Sequence, residues 1–130
     1  MSNQGHCNCE SIKVTLDPEL QKNTLSCFCS NCQRAGGLFA PNYVVDEEQV
    51  QIHDTRGTLK TFIANANSGN KVDRSFCGDC GSPVVTRTPT FPGKAIIKAV
   101  LFDTIAAPAQ EIFTHRRPQW QKAADSAEQG

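Results

Sequence analysis

Seven cysteines carry most of the chemistry that this sequence can perform, and they fall into three groups. The groups are Cys7-Asn8-Cys9, Cys27-Phe28-Cys29-Ser30-Asn31-Cys32 and Cys77-Gly78-Asp79-Cys80-Gly81. In an extended strand, residues i and i+2 point to the same side, so a Cys-x-Cys pair offers two sulfurs to one ion. The third group has the form of a zinc knuckle, in which Gly81 permits a left-handed backbone. These spacings predict zinc binding through cysteine thiolates.

The number of sulfurs suggests how they divide between ions. Structural zinc takes four protein ligands, whereas catalytic zinc usually keeps one position for water or substrate. Seven sulfurs divide naturally into four and three. We therefore predict that one closed site ties the amino-terminal strand to the knuckle through Cys7, Cys9, Cys77 and Cys80. A second zinc ion, with an open fourth position where chemistry would take place, is predicted on Cys27, Cys29 and Cys32.

Two alternatives to this division stay open. The first is a disulfide framework with one spare thiol, which the odd number of cysteines and the lack of an export signal disfavour. A Cys-x-Cys pair on a strand also bridges poorly. The second alternative is that both sites are structural, with the second completed by an acidic residue or by His6, His53 or His115.

The elements that must position these cysteines are predominantly strands. Short segments rich in Val, Ile, Thr and Phe, bounded by Gly, Pro, Asn or Asp, are typical of half-buried strands. They are Ser11–Leu16, Tyr43–Val45, Gln49–Ile52, Leu59–Ala64, Lys71–Phe76, Pro83–Arg87 and Ala95–Phe102. Only Asp17-Pro18-Glu19-Leu20 suggests a helical turn, with Asp17 as its cap. The sequence predicts one mainly antiparallel β domain over residues 1–120, followed by a mobile polar tail at 121–130.

Composition narrows the classes of function. A chain of 130 residues that is 38% hydrophobic fits one domain to which metal–thiolate bonds contribute stability. Thirteen basic and thirteen acidic residues give no net charge, which argues against nucleic acid or a membrane as partners. The basic stretch from His115 to Trp120 is too short to reverse that inference. No secretory signal or membrane span is apparent, so a reducing cytoplasmic location is expected.

At this point the residues resemble a known family. The cysteine order, with Arg34-Ala35-Gly36-Gly37 after the middle group and Asn70 to Phe76 before the knuckle, resembles the glutathione-dependent formaldehyde-activating enzyme family. That family also contains a vertebrate centromere-associated protein. The resemblance covers roughly residues 5–120 and implies a β-tent fold of short antiparallel sheets stabilised by zinc. Two positions depart from the family pattern: Glu10 stands where Gly is common, and Phe28 stands where His is common.

The resemblance also implies an activity. Its founding enzymes are taken to join formaldehyde to glutathione, which gives S-hydroxymethylglutathione. We therefore expect a carbon–sulfur lyase with two Zn²⁺ per chain, glutathione as thiol substrate or cofactor, and an electrophile as second substrate. A homo-oligomer is left open, and the alternative function is a non-catalytic, zinc-stabilised protein-binding module. Arg34 is a candidate to pair with a glutathione carboxylate through its fork of donors. For Arg74, a structural salt bridge is expected.

Overall fold

Strands make up most of the ordered backbone, as the sequence predicts. The structure, a computed structural model, describes residues 2–130. Its strands are Gln4–His6 (β1), Lys13–Leu16 (β2), Thr24–Cys27 (β3), Ala40–Asp46 (β4), Val50–His53 (β5), Leu59–Asn65 (β6), Lys71–Cys77 (β7), Pro83–Arg87 (β8), Lys94–Lys98 (β9), Pro108–Ile112 (β10) and Glu128–Gln129 (β11). An α-helix spans Ser30–Gly36 (α1), and 3-10 turns cover Glu47–Gln49, Ala99–Leu101 and Thr114–Arg116. No helix within residues 2–130 has the length and apolar character to cross a bilayer.

The strands form two sheets of unequal size. One has three strands in the order β1-β2-β5, and the other has eight in the order β11-β10-β3-β4-β9-β8-β7-β6. Pairing is antiparallel except where β10 lies between β3 and β11, since it runs parallel to both. The predicted mainly β class of short sheets is confirmed, and the parallel corner is a feature that the sequence pattern did not indicate.

The hydrophobic core lies between the two sheets. Val14 and Leu16 of the small sheet belong to the same buried cluster as Tyr43 and Ile97 of the large one. On β9 the side chains alternate, because successive residues of a strand point to opposite faces. Ala95 and Ile97 therefore face this core, and both are fully buried.

The other face of the large sheet carries polar side chains instead. Ile96 and Lys98 of β9 point to this face, and Lys98 lies directly opposite Asn42 on β4. Ile96 lies opposite Thr86 on β8, which in turn lies opposite Arg74 on β7. Directly opposed residues of an antiparallel pair share a face. Four neighbouring strands therefore present a row of polar groups, which we call the polar face.

The helix is not where the sequence suggested it. Asp17 begins no helix: its N–H donates to the carbonyl of Gln49 at 2.7 Å, and its carboxylate accepts from the Gln51 side chain at 3.1 Å. The Asp17–Pro18 peptide bond is cis. The observed helix α1 is only seven residues long, too short to show an apolar period.

Residues 121–130, for which the sequence predicts a mobile polar tail, make hydrogen bonds to the large sheet. Glu128–Gln129 joins the large sheet beside β10, and the N–H of Gly130 donates to the carbonyl of Glu111 at 2.8 Å. The buried carboxylate of Glu111 accepts hydrogen bonds from Arg117, from the N–H of Ala124 and from the side chain of Gln129. One buried acceptor thus anchors a segment whose small, polar composition suggested no anchor. The predicted domain boundary at residue 120 stays a prediction.

Candidate metal centres and the adjoining cavity

The first cysteine group joins the third at one end of the molecule. The sulfurs of Cys7, Cys9, Cys77 and Cys80 all lie within 4.8 Å of one another. The Cys7–Cys9 and Cys9–Cys77 sulfur pairs are each 3.7 Å apart. Zn–S bonds of about 2.3 Å in tetrahedral array place sulfurs about 3.8 Å apart. The four sulfurs therefore fit one tetrahedral zinc ion, in the grouping that the spacing predicted.

The local backbone explains how the knuckle converges. The N–H of Cys77 donates to the carbonyl of Ser82, and the N–H of Gly81 donates back to the carbonyl of Cys77 at 2.8 Å. Gly81 has φ of 79°, which is the left-handed conformation expected of it. Gly78 donates to the carbonyl of Thr58 at 2.7 Å, and a Cβ at that position would meet the same oxygen at 2.9 Å. Both glycines are therefore required by the turn.

Hydroxyl groups surround these four sulfurs, and the sequence analysis missed them. Ser11 Oγ lies 3.2 Å from Cys9 Sγ and 3.3 Å from Cys77 Sγ, and Thr58 Oγ1 lies 2.9 Å from Ser11 Oγ. The Ser11 hydroxyl lowers the pKa of Cys77 to about 5. In the same way, the hydroxyl of Ser82 lowers the pKa of Cys80 to about 7. At Cys77 and Cys80 the thiolate, which is the form that binds metal, is thereby favoured.

A sequence signal for two of these hydroxyls did exist. Ser11 and Ser82 each stand two residues after the second cysteine of their group. Two such Cys-x-Ser patterns flanking one predicted site indicate that the hydroxyls lie near the sulfurs. Thr58 has no comparable signal, because the fold brings it in from a different segment.

The middle cysteines form a separate cluster. Cys27 ends β3, Cys29 caps the amino terminus of α1 by accepting the N–H of Cys32 at 3.4 Å, and Cys32 is buried in the first turn. Their three sulfurs lie within 4.8 Å of one another, and no other Cys, His, Asp or Glu of residues 2–130 joins them. The structure therefore brings three candidate metal ligands together, and any fourth ligand would have to come from outside the chain.

The two open alternatives find no support in these distances. All seven cysteines are free thiols. The side chains of His6, His53 and His115 are all exposed, and none reaches the three-cysteine cluster.

The three middle sulfurs also influence one another's protonation. Hydrogen bonds from the thiols of Cys27 and Cys32 hold the pKa of Cys29 far below its usual value. Hydrogen bonds with Cys29 and Cys32, together with burial, raise the pKa of Cys27. The low pKa of Cys29 favours its thiolate, which is the form that binds a metal ion.

A cavity of about 350 Å³ adjoins the three-cysteine cluster. Its floor is the polar face of the large sheet, with Asn42, Arg74, Thr86 and Lys98 among the lining residues. Lys98 is only 5% exposed, and its Nζ donates to Asn42 Oδ1 at 3.0 Å. Burial and the nearby Arg74 charge lower the pKa of Lys98, and the cysteine thiolates, which act in the opposite direction, do not restore it. An apolar cavity whose floor carries the Arg74 guanidinium and the Lys98 amine therefore opens beside the three sulfurs.

The two arginines considered from the sequence are placed differently from one another. The prediction of a salt bridge for Arg74 is wrong, because no carboxylate of residues 2–130 pairs with this side chain. Arg74 Nη2 donates instead to Cys32 Sγ at 3.7 Å. Strand alternation puts Arg74 on the polar face, where sulfurs are the available acceptors. Arg34 lies exposed in the last turn of α1 and does not line the cavity.

Phe28, the residue between Cys27 and Cys29, packs behind the cluster. Its ring is fully buried and lies 5.1 Å from the ring of Phe39. Neither ring lines the cavity. These aromatics therefore support the cysteine loop from within the protein.

Comparison with known proteins extends these observations. The model of one protein family, described as the glutathione-dependent formaldehyde-activating enzyme, matches residues 2–116. A crystal structure of a Rhodobacter sphaeroides protein is similar to this chain with a TM-score of 0.63 and 16% sequence identity. The similarity covers 78% of this chain and 89% of that chain, and at such an identity it supports the fold alone. No match is found among curated proteins.

Proposed function

This chain belongs to the glutathione-dependent formaldehyde-activating enzyme family, and on that premise we propose that it is a zinc-dependent carbon–sulfur lyase. It would form or cleave an adduct of glutathione with formaldehyde or a related electrophile. The observation that carries the proposal is the contrast between two sulfur clusters. One cluster has four sulfurs, which is enough to complete a tetrahedral site, whereas the other has three sulfurs that line a cavity.

The donor sets fit zinc in both clusters. Cys7, Cys9, Cys77 and Cys80 would hold a structural ion, and tetrahedral spacing of their sulfurs supports this assignment. The three middle cysteines would hold a second ion with a place for an exogenous ligand. Zinc bound there would keep an incoming thiol in its nucleophilic thiolate form at neutral pH.

The residues around the cavity would orient the reactants and exclude water. Leu25, Val72, Ile96 and Ile112 give the cavity an apolar lining between its polar groups, and the volume of about 350 Å³ falls within the roughly 300–1,000 Å³ of small-molecule pockets. Arg74, beside Cys32, places positive charge next to the thiolates. A thiolate and an electrophile bound together in this cavity would be held close to one another, which favours carbon–sulfur bond formation.

Arg34 is proposed to contact the substrate outside the cavity. Its guanidinium is exposed and makes no hydrogen bond within residues 2–130. It could therefore pair with a glutathione carboxylate that extends into solvent. The free state of all seven cysteines is consistent with a reducing compartment, and we propose a cytoplasmic location on that basis.

Metal analysis and two matched cysteine variants test the proposal. We expect two zinc ions per chain in protein purified without chelators. Cys32→Ser should lose the second ion and the activity while it keeps its fold by circular dichroism. Cys77→Ser should lose the structural ion and unfold at a lower denaturant concentration.

Glutathione titration into the two-zinc protein, followed by X-ray absorption at the zinc edge, gives the direct readout. One additional sulfur ligand per chain is expected in the wild type and none in Cys32→Ser. If no sulfur is added, or if Cys32→Ser keeps full activity, the enzymatic proposal is wrong, and a binding module stabilised by zinc becomes the better description.

A further inference from the structure

Three hydrogen-bond donors meet on the floor of the cavity, and the cysteines do not account for them. Arg74, Thr86 and Lys98 come from β7, β8 and β9, the three neighbouring strands of the polar face. All three line the cavity together with Cys27, Cys29 and Cys32. The fold therefore places a donor group from three consecutive strands beside a sulfur cluster that is distant from them in the sequence.

These donors are buried and incompletely satisfied. Thr86 and Lys98 are each 5% exposed. Thr86 Oγ1 and Arg74 Nε have no hydrogen-bond partner among residues 2–130. Lys98 Nζ can donate three hydrogen bonds, and within the same residues it reaches one acceptor, Asn42 Oδ1. Buried polar atoms without partners are rare in native proteins, so this group points to a ligand that carries acceptors.

The charge of the group indicates what kind of acceptor it would bind. The Arg74 guanidinium at the base of an apolar cavity attracts negative charge strongly, because little water screens it. Asn42 orients the Lys98 amine from one side, so that this amine adds N–H donors beside the guanidinium, and the Thr86 hydroxyl can turn to donate. Together they resemble the donor sets that stabilise an oxygen on which negative charge develops during a reaction.

We propose that Lys98, Thr86 and Arg74 form a subsite for an anionic oxygen, which receives the carbonyl oxygen of the electrophile as it becomes an alkoxide. This inference rests on the proposed function. The thiolate sulfur forms a bond to the carbonyl carbon, and the π electron pair of the C=O bond moves to the oxygen. The proton that the thiol released to solvent returns from water to that oxygen, which completes the hydroxymethyl thioether. In the cleavage direction the same donors stabilise the same alkoxide.

Two variants and one matched control test the subsite. Lys98→Met removes the amino group at similar length, and Thr86→Val removes only a hydroxyl, so Thr86→Val keeps the test valid if Lys98→Met folds poorly. Lys94→Met is the control: Lys94 lies on the same strand and the same face, but it pairs with Asp46 and lies outside the cavity. Circular dichroism and a zinc content equal to the wild type establish that each variant is folded.

The first readout needs no turnover. Formate, a one-carbon oxygen anion, is titrated into the two-zinc protein and its binding is followed by the broadening of its NMR signal. Wild type and Lys94→Met should bind formate equally, whereas Lys98→Met and Thr86→Val should bind it about tenfold more weakly. Equal formate binding by all four proteins would overturn the subsite, whatever the outcome for the proposed function.

The second readout separates the subsite from glutathione binding. Lys98→Met should lower kcat for glutathione with formaldehyde by roughly 100-fold, as loss of an oxyanion donor does, without changing the KM for glutathione. Glyoxylate, an aldehyde that also carries a carboxylate, should show the same loss of kcat. A loss confined to the KM for glyoxylate would assign the subsite to a carboxylate and overturn its assignment to the carbonyl oxygen. If the wild type shows no turnover, the proposed function fails, and formate binding alone decides on the subsite.

Discussion

The guanidinium carbon of Arg117 lies 4.8 Å above the centre of the Phe28 ring. Phe28 stands between Cys27 and Cys29, so this contact joins the carboxyl-terminal part of the chain to the back of the three-cysteine cluster. Arg117 also pairs with Glu111 at 2.9 Å, and the two side chains are only 13% and 5% exposed. A cation held between a carboxylate and an aromatic ring thus supports the loop that presents the middle cysteines.

Removal of the Glu111 carboxylate should destabilise this end of the protein. Glu111→Ala leaves the Arg117 charge buried without its partner and takes the acceptor away from Ala124 and Gln129. We expect a loss of about 3 kcal/mol in the free energy of unfolding, measured by urea denaturation.

An exposed ion pair serves as the control for that change. Arg56→Ala breaks the pair with Asp79, whose side chains are 63% and 49% exposed, and should change stability by less than about 1 kcal/mol. If Glu111→Ala costs no more than this control, the buried pair does not anchor the terminal segment.

The Ser11 hydroxyl should raise the affinity of the four-sulfur cluster for its metal ion. Ser11→Ala removes the hydrogen bonds that lower the pKa of Cys77, so the thiolate becomes harder to form. Loss of such a supporting contact typically weakens metal binding by about 10–100-fold. Competition with a chromogenic zinc chelator measures the change. Ser126→Ala, which removes a hydroxyl far along the chain, should leave the competition curve unchanged. If Ser11→Ala also gives the wild-type curve, the role assigned to the Ser11 hydroxyl in metal binding is contradicted.

Glu10 offers a stabilising substitution. It has φ of 65°, in the left-handed region that glycine occupies at little cost, and its N–H closes the turn onto the carbonyl of Cys7 at 3.0 Å. In the family that the sequence resembles, glycine is common at this position. Glu10→Gly should raise the free energy of unfolding by about 0.5–1 kcal/mol in urea denaturation. Glu48→Gly, within an ordinary 3-10 turn, should lower stability instead, and a decrease for both would contradict the strain at Glu10.

The sequence predicted those features that depend on near neighbours. Pro83–Arg87 was predicted as a strand with its observed bounds, because alternation and turn residues are local signals. The division of the cysteines also followed from short spacings and from the number of ligands that zinc requires. The conformation of Gly81 followed from the knuckle pattern, and its φ of 79° agrees.

What the sequence did not predict depends on contacts between distant segments. Asn42 and Lys98 meet across neighbouring strands although 56 positions separate them, and no local pattern distinguishes Lys98 from a solvent-exposed strand lysine. The row of polar groups on the cavity floor exists only after four strands come into register. In the same way, the terminal segment is anchored by Glu111, a residue whose burial depends on the pairing of β10 with β3.

The last prediction concerns how stability depends on pH through Asp54. Its carboxylate holds the turn that leads into β6, the strand that pairs with β7. Partial burial alone would raise the pKa of this carboxyl, but hydrogen bonds from the backbone N–H groups of Leu59 and Thr58 outweigh it, so its pKa lies below the usual value. A carboxyl whose pKa is depressed in the folded state stabilises the protein above its unfolded pKa. That stability is lost as the pH falls through the folded pKa.

The free energy of unfolding of the wild type should therefore exceed that of Asp54→Asn by a constant amount near neutral pH, and the difference between the two proteins should shrink in acid. Because protonation of the cysteines affects both proteins alike, the difference between them isolates Asp54. Urea denaturation over a pH series measures it, with the exposed Asp103→Asn as control. A difference that stays constant or widens in acid would show that the charged carboxylate is not what holds this turn.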